Sequence, residues 1–358
     1  YLDRPLPYSQ QFSAGFQHTF FNTWLMDVSY SGNLTKKLPV SVNLNFIPGA
    51  DLTRLPVAER AAFFNAPVAN PLSGRLPGSA INGATVPRST LLNPYPHFSQ
   101  VGISNVPIGS QNYHSLQSRA TRRYANGFTA QISYTWSKTL ESVSLLNAQS
   151  TDVANLLNTR PEQRLQQFDI PHTFSAIVTY ELPFGKGKKM LSGINKAGQA
   201  IVGGWNLNVQ YMIRSGGPFD FPNAAPLTNR SAKLSEDQRN ELAKKAGRSE
   251  FNPFFDKYYD VTLFPRQAQA PFTLRDFPTR FADVRSRHLE SWEISAYKEF
   301  RFFEKVRWQI RADFQNALNY AHFAQQASNN VTDPRFGQLN PAQNNQTRQV
   351  VLVMKILF

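Results

Sequence analysis

The sequence predicts an all-β fold: an antiparallel transmembrane β-barrel, of which this chain supplies about nine or ten strands with long external loops. Three observations carry that expectation. Nine segments alternate apolar and polar residues with period two, all five tryptophans fall in the apolar register near segment ends, and tight connections alternate with long ones.

The first segment sets Phe12, Ala14, Phe16, His18 and Phe20 against Gln11, Ser13, Gly15, Gln17 and Thr19. A tight turn at Phe21-Asn22-Thr23 leads to the second, where Trp24, Met26, Val28 and Tyr30 share a side. The stretch from about 34 to 110 is rich in Pro, Asn and Gly and reads as a long loop, with Pro56 opening a short helix that runs through Phe63. The third segment, Tyr113 to Tyr124, has the weakest pattern, with Leu116, Ser118 and Ala120 on its less polar side. Ala125-Asn126-Gly127 is a hairpin signal, and the fourth segment then aligns Phe128, Ala130, Ile132, Tyr134 and Trp136.

A second long loop covers about 139 to 170. The fifth segment aligns Phe174, Ala176, Val178, Tyr180 and Leu182, and the basic connection Gly185-Lys186-Gly187-Lys188-Lys189 leads to the sixth, with Trp205, Leu207, Val209, Tyr211 and Ile213 opposite Arg214 and its amide neighbours. A third loop spans about 215 to 288. It holds a helix candidate from Ser235 to Ala246, with a capping box at Ser235 and Gln238 and a stop at Gly247. The seventh segment carries Trp292, Ile294 and Ala296, a turn falls near Phe303-Glu304, and the eighth carries Val306, Trp308, Ile310, Ala312 and Phe314. After a fourth loop of about 319 to 346, Val350, Leu352, Met354, Ile356 and Phe358 share one face of the ninth.

Composition narrows the alternatives. The 358 residues are 41% hydrophobic, 17% charged and 13% aromatic. No apolar run approaches the ~18 residues of a membrane-spanning helix, which excludes a helical membrane protein. The aromatic content argues against disorder. A barrel keeps a low mean hydropathy, here −0.40, because only every second strand residue touches lipid. The chain has no cysteine, so disulfides and Cys-based zinc or redox sites are excluded. The net charge of +14 is scattered, and without a basic stripe no nucleic-acid partner is expected.

Alternation also occurs in soluble sandwiches, so the choice rests on its details. Trp24, Trp136, Trp205, Trp292 and Trp308 suit the aromatic girdles at the two membrane interfaces. The opposite register is strongly hydrophilic, and Arg214, Glu293, Glu299, Arg307, Arg311 and Asp313 are its charged lumen-facing candidates. A solvated lumen accepts such groups where a dry core would not. Glu293 and Glu299 are placed to pair across strands with Arg307 and Arg311, in the manner of an ordinary wetted wall.

Short turns on the periplasmic side and long loops outside put the C-terminus in the periplasm. Counting back puts Tyr1 outside, and nine is an odd number where bacterial single-chain barrels are even. The parity predicts a C-terminal portion of a larger barrel over residues 1–358, or a missed strand, for which Phe98 to Gly109 is the best candidate. Tyr1 begins without the basic and apolar regions of a signal peptide.

Several segments, in order, resemble a known family: Tyr113-His114-Ser115-Leu116-Gln117, Tyr134-Thr135-Trp136-Ser137-Lys138, Phe168-Asp169-Ile170-Pro171-His172, Tyr180-Glu181-Leu182-Pro183-Phe184-Gly185-Lys186-Gly187, Gly203-Gly204-Trp205, Ser215-Gly216-Gly217-Pro218, Phe314-Gln315-Asn316-Ala317-Leu318-Asn319 and Asp333-Pro334-Arg335-Phe336-Gly337. The series resembles the C-terminal barrel half of Oar-like TonB-dependent outer-membrane receptors of the Acidobacteria type. Val350, Leu352, Met354, Ile356 and the terminal Phe358 resemble the barrel-assembly signal of outer-membrane proteins. The resemblance implies a 22-stranded barrel with an N-terminal plug, a TonB-contacting segment and often a carboxypeptidase-regulatory-like domain, whose marks this sequence does not carry. The partners it implies are the bilayer with its lipopolysaccharide, the barrel-assembly machinery, the plug and remaining strands, and TonB through those parts only.

The expected function is a barrel segment of a receptor or transporter for an unidentified siderophore, carbohydrate or peptide. The alternatives are a structural barrel module or adhesin without transport, and a soluble all-β binding protein. Gly185-Lys186-Gly187-Lys188-Lys189 lacks the spacing and the Ser or Thr of a phosphate loop and reads as a basic periplasmic turn near lipid phosphates. The six histidines are dispersed, so no metal, cofactor or catalytic site is expected, and His288 with Glu290 reads as a loop-edge contact. The Phe-rich segment Phe251 to Phe281 reads as a loop packed on itself, against a contact surface as the alternative.

Overall fold

The computed structural model describes residues 5–143, 163–221, 231–264, 270–272, 279–301 and 307–357. Nine long strands form one antiparallel meander in chain order: β1 (Tyr8–Phe20), β2 (Trp24–Asn43), β3 (Gly102–Ala125), β4 (Phe128–Glu141), β5 (His172–Glu181), β6 (Trp205–Arg214), β7 (Leu289–Arg301), β8 (Arg307–Gln315) and β9 (Gln349–Leu357). A short strand, Arg164–Leu165, pairs with the end of β4. The sheet is open, with β1 and β9 at its edges.

The ladder registers turn the one-dimensional alternation into two faces. One rung runs His18, Met26, Ala120, Ile132, Ala176, Tyr211, Trp292, and another runs Phe128, Tyr180, Leu207, Ala296, Ala312, Leu352. The adjacent rung on the other side reads Gln17, Asp27, Arg119, Ser133, Ser175, Met212, Ser291. A side-chain period of two makes a one-residue slip exchange the faces. The agreement of all eight pairings therefore gives a coherent apolar surface.

That surface is not covered by protein. Leu352 is 79% exposed, Phe16 64% and Met354 64%. A bare apolar face running across a whole sheet is a surface that meets something other than water. Two packed cores lie instead in the connections, and a third, smaller one lies at the long-loop ends of the second and third strands.

The tight turns follow from local chemistry. Phe21 and Asn22 both have positive φ, as do Asn126 and Gly127, and Ala125 pairs directly with Phe128 in a two-residue primed turn. The expected turn near Phe303-Glu304 lies outside the described residues, as does Val306.

Two boundaries differ from the alternation. β2 extends to Asn43 and β3 starts at Gly102, so the first long loop is about 44 to 101 rather than 34 to 110. The segment Phe98 to Gly109 is largely the first part of β3, not an additional strand. The reason is a bulge. Lys37, with φ +60, is an extra residue between the pairs Lys36–Ser110 and Leu38–Gly109. It reverses the side to which its successors point, which breaks the period in the sequence. Leu38, Val40 and Val42 thereby gather with Val143 in a small buried cluster. Gly109 stands where a Cβ would lie 2.7 Å from Val143 and 2.9 Å from Leu38.

Among the described residues the connections contain five α-helices: α1 (Gly49–Thr53), α2 (Val57–Asn65), α3 (Arg88–Leu92), α4 (Lys196–Val202) and α5 (Glu236–Lys245). Pro56 is the N-cap of α2. Both halves of the Ser235–Gln238 capping box form on α5, and Gly247 has positive φ just beyond it. In the β5–β6 connection Lys188 reaches Glu181 at 2.6 Å. Lys298 belongs to the apolar register yet is only 4% exposed, because α4 lies over it. Its ammonium donates to the α4 carbonyls of Ala200 at 2.6 Å and Gln199 at 3.2 Å, and the Trp205 indole donates to Ile201. The helix carbonyl end thus supplies the acceptors that a lysine on an apolar wall requires.

Neighbouring residues on opposite faces provide a direct test. Ile132→Arg should cost about 2–4 kcal/mol if its face meets lipid near the midplane and should deplete the heat-modifiable folded band on gels. Gln131→Arg should leave that band unchanged, and equal tolerance of both would contradict the facing.

Candidate functional site

The functional geometry gathers at the long-loop edge, where the β6–β7 and β8–β9 connections share one aromatic core. Phe221 stacks on Phe264 with ring centroids 5.2 Å apart, and Phe336 meets Tyr259 and Phe264 edge-on at 5.5 and 5.4 Å. Val284, Val331 and Leu339 complete the cluster. Phe254, Tyr258 and Phe281 pack against it, so the described part of the Phe251–Phe281 segment is largely a packed loop, although Phe255 is exposed.

The Asp333-Pro334-Arg335-Phe336-Gly337 motif organises this core. Asp333 accepts from the Arg335 backbone at 2.8 Å and from its guanidinium at 3.0 Å, which holds the carboxyl down at about 2. Lys257 donates to the carbonyls of Pro334 and Phe336. Gly337 has φ +89, and a Cβ there would lie 2.3 Å from Val261. The turn therefore drives Phe336 inward, and only glycine fits behind it.

Buried ion pairs fasten these loops to the sheet. Glu141, at the end of β4, receives Arg280 at 3.1 Å and Arg164 at 3.7 Å, all three being buried. Asp169, from the Phe168-Asp169-Ile170-Pro171-His172 motif, receives Arg285 at 2.7 Å and the Thr139 N–H at 2.6 Å. Ser137 binds the backbone of the same motif through the Ile170 and Pro171 carbonyls. Asn316 and Asn319 close β8, Asn316 donating to the carbonyls of Tyr320 and Gln346 and Asn319 accepting from the Arg348 N–H.

The hollows at this edge include two of contrasting lining. The first, about 520 Å³, lies on the polar register of β2, β3 and β4 and is lined by neutral groups such as Asn33, Gln111, Tyr113, Thr135 and Phe168. The second, about 680 Å³, spans the long-loop ends of β5, β6 and β7 and is rich in cationic side chains.

The residues expected to be functional from sequence are spread along the wall. Arg214 lies between Thr173 and Leu289 in the ladder. Glu299 meets Arg307 at 3.7 Å. The other expected pairing is corrected. Arg311 stands opposite Tyr297 and closes on Asp313 of its own strand at 2.8 Å. Glu293 accepts from Ser291 and the Asn316 N–H. The register places Glu293 two rungs beyond Tyr297, past Ser295, which bonds Asp313 itself.

Trp24, Trp205 and Trp308 lie toward the short-turn edge, Trp136 and Trp292 toward the long-loop edge. Trp292 donates to Glu290 and lies 4.3 Å from Tyr211. Val350, Leu352, Met354 and Ile356 stand opposite Phe314, Ala312, Ile310 and Trp308, while Phe358 lies outside the described residues. His288 is 3.7 Å from Glu290 and bonds Tyr320 at 3.0 Å. Among the described residues no group of three His, Asp or Glu is placed to hold a metal.

Sequence reasoning missed Glu141, Arg280, Arg285, Lys298 and the cations of the second hollow. For Asp169 a signal existed, a lone carboxylate inside the Phe168-Asp169-Ile170-Pro171-His172 motif; Arg280 and Arg285 lie in an irregular loop without period.

The model of the family described as "outer membrane beta barrel domain" matches residues 2–350. No curated protein matches the chain in sequence. Among solved structures, it is similar to the outer membrane transporter YddB from Escherichia coli, at 10% identity and a TM-score of 0.48, over 100% of this chain and 33% of that one. It is also similar to BauA, the ferric preacinetobactin receptor from Acinetobacter baumannii, at 9% identity and 0.40, over 98% and 29%. The pyoverdine outer membrane receptor FpvA from Pseudomonas aeruginosa PAO1 aligns at 6% identity and 0.38, over 98% and 30%. The chain spans about a third of the length of these proteins.

Removing one partner from a buried ionic cluster leaves uncompensated charge. Glu141→Gln should therefore loosen the 279–286 segment by about 3–5 kcal/mol and show as faster tryptic cleavage there. Asp256 gives a pH test. Its burial opposes ionisation, but the Arg248 guanidinium and the Asn252 N–H outweigh that and hold its carboxyl below the ordinary value of 3.8. The contribution is present above that value and is lost as pH falls through the lower folded one. Hydrogen-exchange protection of residues 248–256 should accordingly drop between pH 5 and pH 2, by about the same loss as in Asp256→Asn, whose protection should not vary with pH over that range.

Proposed function

The chain belongs to the outer membrane beta barrel domain family, and from that premise we propose that it is the C-terminal barrel segment of a TonB-dependent receptor or transporter. The observation that carries the reading is the two-faced ladder: an uncovered apolar surface on one side and a polar wall on the other. The ordered motif series supports the receptor assignment, and several of its members build the loop anchors: Asp169 the Arg285 pair, Asn316 the closure of β8, and Asp333 the turn before Phe336.

In this reading the short turns are periplasmic and the long loops extracellular, in keeping with barrels of this kind. Arg214, Glu293, Glu299, Arg307, Arg311 and Asp313 wet the lumen. Trp24, Trp205 and Trp308 form the periplasmic girdle, with Trp136 and Trp292 on the external one. Val350, Leu352, Met354, Ile356 and Phe358 present the assembly signal to the barrel-assembly machinery. Substrate enters past loops held rigid by Glu141–Arg280 and Asp169–Arg285, and TonB acts through other parts of the whole protein.

The test uses the full-length protein in outer-membrane vesicles, crosslinked to the purified periplasmic domain of TonB. Capture of TonB by a heat-modifiable barrel is the expected result. A heat-modifiable barrel that captures none would overturn the receptor reading and leave the family assignment intact.

A further inference from the structure

The second hollow differs from the first in charge and in the face it belongs to. The rung Phe174–Ile213–Glu290 lies on the apolar register, the ladder ends one residue further at Thr173–Arg214–Leu289, and the next residues, His172, Ser215 and His288, form the hollow's floor. The Ser215 N–H donates to the His172 carbonyl at 2.8 Å. Both imidazoles are held by tyrosine hydroxyls, His172 by Tyr134 at 2.8 Å and His288 by Tyr320 at 3.0 Å. The floor thus sits immediately above the apolar wall, on the same side as Trp136 and Trp292.

The walls are cationic. Lys233, Arg239, Arg285 and Arg287 line them. Arg285 is neutralised by Asp169. Arg239 is stacked on Tyr258, 4.3 Å from its ring centre, and its Nε is buried without a hydrogen-bond partner among the described residues. Lys233, Arg239 and Arg287 make no ion pair among the described residues. The carboxylate of the lining, Asp283, is turned to the Ser231 hydroxyl. Three cations around a half-open cavity are poised for an anion with several acceptor oxygens, which is the chemistry of a phosphate group.

We infer that this hollow binds the phosphate of an outer-leaflet glycolipid whose acyl chains lie along the apolar wall beneath it. The inference rests on the membrane orientation proposed above, which puts the hollow at the level of the external headgroups. A lipid-borne phosphate fits better than a free one because His172 stands opposite Trp136, next to the Phe174–Ile213 pair of the apolar face, while the Glu290 carboxylate beside them accepts from the Trp292 indole. Arg239 and Arg287 hold the phosphate, Lys233 closes over it from the exposed side, and the histidines meet the sugar.

The full-length protein, delipidated in detergent, is titrated with bisphosphorylated lipid A and bound lipid is counted by native mass spectrometry. The Arg239→Gln/Arg287→Gln variant should bind about tenfold more weakly or worse, the expected loss for a charge-assisted hydrogen bond. Lys233→Gln, at an exposed position, should weaken binding severalfold, and lipid A without phosphates should bind wild type as weakly as bisphosphorylated lipid A binds the double variant. Unchanged affinity in a heat-modifiable double variant, or equal binding of the phosphate-free lipid, overturns the site while leaving the barrel reading standing. Displacement of lipid A by equimolar inorganic phosphate overturns the lipid as its occupant. If the double variant fails to assemble, Lys233→Gln decides alone. A wild-type protein that is not heat-modifiable removes the barrel reading and this inference together.

Discussion

Phase coherence across the ladder is the constraint on which everything else depends. Inside hydrocarbon a backbone must satisfy its own hydrogen bonds, so each strand is committed to its neighbours along its length. That commitment determines which face every side chain takes. Because Ile132 stands between Ala120 and Ala176, and Ser133 between Arg119 and Ser175, no strand can slip without moving charge into the apolar face and grease into the polar one. The first of three register breaks between β2 and β3, the Lys37 bulge, lies toward the long-loop end of β2. There it moves Leu38, Val40 and Val42 into a protein-covered cluster.

The ordinary relation between burial and hydrophobicity is inverted in this molecule. Its apolar wall is exposed, while its densest packing belongs to the loops. Those loops cannot draw on the sheet's apolar face, so they build their own core from Phe221, Tyr259, Phe264 and Phe336 and tie it to the strand ends with charge. A buried ion pair contributes little net stability but strongly disfavours any arrangement that separates it. Glu141 with Arg280 and Asp169 with Arg285 therefore act as registration pins that tie the 279–286 segment to the β4 end of the ladder.

Two lysine environments show how the same wall handles cations differently. Lys298 projects from the apolar register and is capped by the carbonyl end of α4, which satisfies its donors within the protein. Lys233 has no such partner among the described residues and lines the open hollow with Arg239 and Arg287. The first is a solved burial problem, while the second keeps its electrostatic capacity for something outside the chain.

The strands were legible because alternation is a local property: Phe128 to Trp136 and Val350 to Ile356 declare their faces within a few residues. The primed turn at Asn126-Gly127 and the cap at Ser235 were legible for the same reason. The full lengths of β2 and β3 were not, since one inserted residue at Lys37 inverts the pattern that was being read. Nor were the partners of Arg311, because rung position rather than charge selects Asp313 over Glu293. The sequence by itself determined a two-faced antiparallel wall with short turns and long loops, since period and turn chemistry are written in neighbouring residues. Only the tertiary structure decided that Glu141 meets Arg280 and that Arg239, Arg287 and Lys233 converge above the apolar face, because contacts between irregular loops and distant strand ends leave no period in the chain.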